Sequence, residues 1–123
     1  IPVYDGSMNN VTAHKSLPVV DKKVEGYNPE KLIYITAADD SMSGFRIKSN
    51  DLVMTFLTHE FTGSGIYFIE YGGSRAIRNV RRLDSSKLLI VSNLNGIKTE
   101  TLSDHDVIIL GRCIKAEIDL NMQ

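Results

Sequence analysis

Three stretches decide the fold: Asp39-Asp40-Ser41-Met42, then Phe45-Arg46-Ile47-Lys48-Ser49-Asn50-Asp51-Leu52-Val53, and then Asn79-Val80-Arg81-Arg82-Leu83, whose Arg81 lies 40 positions beyond Ser41. Ser41 follows Leu32-Ile33-Tyr34-Ile35-Thr36, a β-branched and aromatic run that predicts a strand. A strand that ends in a polar turn carrying a serine can present a nucleophile, although serines also serve simply as turn and cap residues. Leu52–Leu57 is a second apolar run, so the serine lies on a turn between two strands.

Further along, Thr62-Gly63-Ser64-Gly65 turns the chain into Ile66-Tyr67-Phe68-Ile69-Glu70-Tyr71, and Gly72-Gly73 is a tight-hairpin signal before a strand over 76–83. A short strand is predicted at 88–91, ended by Asn93-Leu94-Asn95-Gly96, and a long buried one at 107–114. Helical periodicity is absent apart from one turn around 43–47. Residues 1–30 hold all three prolines and several Gly and Asn residues, and they read as an extended arm with short strands. The predicted fold class is therefore mainly β, with an arm over 1–30 and a β domain of twisted, partly closed, short-stranded sheets over 31–123.

At 123 residues the chain fits one domain with a real core, and 42% hydrophobic with 24% charged residues is ordinary for a globular protein. A formal charge of −1 gives no electrostatic footprint for nucleic acid. The single cysteine, Cys113, excludes an internal disulfide and fits a reducing, cytoplasmic setting. No apolar run is long enough to span a bilayer as a helix. The three histidines, His14, His59 and His105, lack metal-ligand spacing, so no metal and no cofactor is expected.

The Ser-Met, the polar turn closing on Asp51-Leu52-Val53 and the Val80-Arg81-Arg82-Leu83 strand together resemble the C-terminal domain of LexA-type and phage CI-type repressors. The resemblance extends from the Ile1-Pro2-Val3-Tyr4 arm to Leu110-Gly111-Arg112-Cys113. In that family Ser-Met supplies a nucleophile, Gly-Asp opens the next strand, and Val-Lys-Arg-Leu supplies a lysine base for self-cleavage. Here Asn50 replaces the glycine, a mild exchange because asparagine tolerates left-handed backbone. The tetrapeptide match puts Arg81 at the lysine position, facing Ser41, with Asp39 or Asp40 as its neutralising partner. A dyad needs a neutral amine to take the hydroxyl proton, and arginine stays protonated in proteins. Neutralising it at pH 7 costs roughly 7 kcal/mol, about five pKa units at ~1.36 kcal/mol each. That is about five orders of magnitude in rate. The family's cleavable Ala-Gly or Cys-Gly bond is also missing from Gly6–His14.

The resemblance thus implies a peptidase-inactive dimerisation domain of a phage or mobile-element repressor. Its expected partners are a second copy or a higher oligomer of copies, DNA only through a helix-turn-helix domain upstream, and an antirepressor protein, with no membrane. The dimer contact is expected around Ile108, Leu110 and Arg112. One rival is an active self-cleaving peptidase whose lysine comes from out of register, Lys87 being nearest to the family position. The other is a UmuD-type polymerase accessory subunit. Asp104-His105-Asp106 invites a Ser-His-Asp triad with Ser41, but adjacent residues on an extended chain point oppositely.

Overall fold

Gly72 and Gly73 have φ values of 58° and 78°. Left-handed backbone at both positions suits a two-residue turn whose twist matches the flanking strands. The turn joins β5 (Gly65–Tyr71) to β6 (Ser74–Arg82) and fixes their register, pairing Tyr71 with Ser74, Phe68 with Ile77 and Tyr67 with Arg78. The computed structural model describes residues 1–118. Its other strands are β1 (Pro2–Tyr4), β2 (Val11–His14), β3 (Leu32–Thr36), β4 (Leu52–Leu57), β7 (Lys87–Asn93), β8 (Ile97–Ser103) and β9 (Ile108–Glu117).

These strands form one sheet in the order β2-β1-β3-β4-β9-β5-β6-β7-β8. Among the described strands, only β1 and β3 run parallel. The fold is mainly β, as the sequence predicts, but as one open nine-stranded sheet with β2 and β8 at its edges. Strand β9 lies between β4 and β5, with register shifts against both that increase the local twist.

The apolar runs at 32–36 and 52–57 form strands with those limits. The strand expected at 88–91 extends over Lys87–Asn93 and is followed by β8, which the sequence reading missed. Residues 1–30 do contain short strands, but they are sewn into the sheet through β1. Lys15 is ion-paired with Glu117, whose carboxylate also accepts the Tyr34 hydroxyl at 3.1 Å.

One apolar cluster joins Ile33, Ile35, Ala37, Met42, Ile47, Val53, Phe68 and Ile77 beneath the Ser41 turn. A second gathers Tyr67, Ile69, Val80, Leu88, Ile90, Val107 and Ile109, and a third packs Val3 and Val24 on Leu32, Tyr34 and Met54. Burying each large aliphatic side chain stabilises by about 1.5–3 kcal/mol, so the clusters set the geometry of everything above them.

Cys113 packs against the first cluster, its sulfur 3.7 Å from the Thr55 hydroxyl. Burial pushes its thiol from an ordinary 9.0 up to about 12. Only the thiolate reacts, so Ellman's reagent at mildly alkaline pH is expected to modify the folded protein about a thousandfold more slowly than the urea-unfolded chain. Equal rates would show the thiol to be freely presented.

Candidate functional site

Between β3 and β4 the chain makes a loop closed at its base by two backbone bonds. The Ala37 amide donates to the Asp51 carbonyl, and the Asn50 amide donates to the Ala37 carbonyl, both at 2.9 Å. Three aspartates hold the loop in shape. The buried Asp51 carboxylate accepts the Lys48 amide, Asp40 accepts the Ser49 amide, and Asp39 accepts the Ser41 amide, each at 2.9 Å. Asn50 has φ of 73°, the left-handed conformation expected of it.

Ser41 precedes Met42, which is 2% exposed and anchors the turn in the first cluster. A 3-10 turn follows over Ser43–Phe45. The end of β7 clamps this region, because the Asn93 amide donates to the Ser41 carbonyl at 2.9 Å. Gly44 permits that approach: a Cβ there would lie 2.2 Å from the Asn93 side chain. Ser41 is therefore presented by a rigid frame.

The cation at Ser41 is Arg78, not Arg81. An Arg78 Nη1 donates to Ser41 Oγ at 2.9 Å and to its neighbour Ile77's carbonyl at 2.8 Å. Arg81 is exposed, and its Nε donates to Asn79 Oδ1 at 3.0 Å. The placement of Arg81 beside Ser41 is thereby corrected, for a geometric reason. Three residues along a strand are about 10 Å and a change of face, so Arg81 cannot share Arg78's position.

Asp39 and Asp40 also behave differently from expectation, since both carboxylates accept backbone amides. No carboxylate among the described residues forms an ion pair with Arg78. The Ser41 hydroxyl, and then its amide, hold the Asp39 carboxyl below its ordinary 3.8, with Arg78 adding a smaller pull against partial burial.

A cavity of about 50 Å³ opens beside Ser41, room for a few water molecules. Asp39, Ser41, Met42, Ile47, Arg75 and Arg78 line it, and Gly6 of the β1–β2 turn reaches it too. Arg75 binds Glu70 at 3.0 Å and the Ser7 carbonyl at 3.1 Å, which fastens that turn over the cavity. No lysine is among the described residues lining it.

Of the other predicted site residues, His105 lines a separate cleft with His59, Phe61, Arg82 and Asp104, so no triad with Ser41 is assembled. Ile108 is 48% exposed. Leu110 packs against the first cluster, and Arg112 donates to Thr62 and, at 3.1 Å, to the Tyr67 hydroxyl. No cluster of three or more metal-ligating side chains occurs among the described residues. None of their helices is long and apolar enough to cross a membrane.

Sequence reasoning missed Arg78 as the residue at Ser41, although the signal was present. Counting outward from the Gly72-Gly73 turn places Arg78 opposite Tyr67, inside the sheet, and Arg81 at its solvated end. No curated protein matches the chain. The family model described as Peptidase S24-like matches residues 3–114. With a serine on a strand-framed turn, a cation from the facing strand and that match over nearly its whole length, the chain belongs to the Peptidase S24-like family.

Proposed function

We propose that this chain is the dimerisation domain of a phage- or mobile-element-type transcriptional repressor, and that its Ser41 site has no peptidase activity. The observation behind the second part is the Arg78 guanidinium donating to Ser41 Oγ at 2.9 Å. A guanidinium has donors only and keeps its protons, so it cannot receive the hydroxyl proton as a lysine amine would. Its hydrogen bond also engages an oxygen lone pair that an attack would use. Arg78 thus takes the part that sequence matching gave to Arg81, and the pseudo-peptidase reading keeps its chemistry.

The formal charge of −1 supports leaving operator binding to a helix-turn-helix domain N-terminal to this one. Joining two such heads at fixed spacing raises affinity for a palindromic operator far beyond that of one head. Without self-cleavage, derepression falls to an antirepressor protein or a separate protease.

Intact-mass measurement tests the enzymatic part. After incubation at about pH 10, where an ordinary lysine is substantially neutral, the protein is expected to stay whole. Fragments that vanish in Ser41→Ala would establish the self-cleaving reading instead. Sedimentation tests the assembly: a dimer is expected at micromolar concentration, and a monomer throughout would count against it.

A further inference from the structure

We propose that two copies of this chain meet along β8, edge to edge, with the two-fold axis passing through Thr99. This names the surface of the dimerisation proposed above and rests on that reading; it replaces the contact expected around Ile108, Leu110 and Arg112, whose strand β9 lies between β4 and β5. Among the described residues, strand β8 pairs only with β7, and one side of its backbone has no partner strand there. All of Ile97–Thr101 is exposed, and Ile97 is 72% exposed. A bare edge of this length is a template for another strand. Lys98 and Glu100 lie along it with no ion-pair partner among the described residues.

The sequence of the edge selects its occupant. In a continuous antiparallel sheet with a two-fold axis perpendicular to it, opposed side chains share a face, so the axis must pass through a residue. An axis at Lys98 opposes two lysines, and one at Glu100 opposes two glutamates. An axis at Thr99 sets Lys98 against the partner's Glu100, and Glu100 against the partner's Lys98. It also pairs the two threonines at the centre and lays Ile97 beside the partner's Thr101. Opposite charges and threonine pairs directly across antiparallel strands are favourable, and like charges there are unfavourable. Ile97-Lys98-Thr99-Glu100-Thr101 is therefore self-complementary in this register. A closed two-fold contact of this kind joins two nine-stranded sheets into one without leaving a β8 edge free.

Charge reversal on the full chain tests the register. Lys98→Glu alone and Glu100→Lys alone each replace both attractive pairs by repulsive ones, and each is expected to weaken self-association by about tenfold or more. Mixing the two variants restores both pairs across the contact and is expected to give a heterodimer near wild-type affinity, as is the double exchange within one chain. Both sites are exposed, and circular dichroism should show each variant folded. A wild-type dimer that neither single reversal weakens would overturn the β8 contact while leaving dimerisation standing. Weakening that mixing does not rescue would also overturn it, and so would open-ended polymers built from β8 onto the β2 edge. A wild-type chain that is monomeric throughout would remove the dimerisation reading itself.

Discussion

Met42→Ala is expected to destabilise the domain by about 2–5 kcal/mol, the range for truncating a buried methionine to alanine. Met42 is 2% exposed and fills the first cluster beside Ala37, Ile47 and Phe68. Its carbonyl accepts the amides of Phe45 at 2.9 Å and Ile47 at 3.2 Å, so the same residue holds the core and the turn. The loss should show as a lower urea midpoint with unchanged slope. Met42→Leu, which conserves volume, should cost less than about 1.5 kcal/mol. Equal stability of the alanine variant and wild type would mean that the Ser41 turn is not anchored through Met42.

Arg78→Ala is the second large effect, a loss of about 1–3 kcal/mol, because Ser41 Oγ and the Ile77 carbonyl both lose a charged donor in a half-buried site. Arg81→Ala, three residues away and exposed, should stay within about 0.5 kcal/mol of wild type. Reversed magnitudes would return the cation at Ser41 to Arg81. A double-mutant cycle with Ser41→Ala isolates the contact, and coupling near zero would show that the bond contributes nothing. Acid stability offers a second readout. Asp39 is depressed below its ordinary 3.8, so its contribution is complete above that pH and fades as the pH falls through the lower folded value. The Ser41 hydroxyl is the largest cause, so Ser41→Ala should flatten that acid limb.

The legible and illegible parts of this fold divide along physical lines. Leu32–Thr36 and Leu52–Leu57 have mostly buried side chains, and their apolar runs gave both strands with the observed limits. The left-handed Asn50 and the short turn near Ser43 were legible too, since each follows from local backbone preference. Strand β8 was not. Its side chains face water, so Lys-Thr-Glu-Thr carries no burial pattern, and only backbone pairing with β7 makes it a strand. Arg81 was misplaced because Val80-Arg81-Arg82-Leu83 shares three of its four letters with Val-Lys-Arg-Leu. Register, however, is set by the Gly72-Gly73 turn and the pairing that runs from it. Counting from the hairpin outranks matching three letters of four.

The position of β9 bears on how the domain is made. Strands β1 to β4 form one run of the sheet and β5 to β8 another, and among the described residues no strand pairing joins the two runs except through β9. During synthesis the facing edges of β4 and β5 stay bare until Ile108–Glu117 has emerged. Each half-sheet waits with an unpaired edge, the kind of surface that aggregates or swaps between chains. Because the closing contacts span long loops, their entropy must be lost before they stabilise anything, and folding of such a topology is slow. A nascent chain of this protein is thus most exposed to aggregation just before β9 is complete.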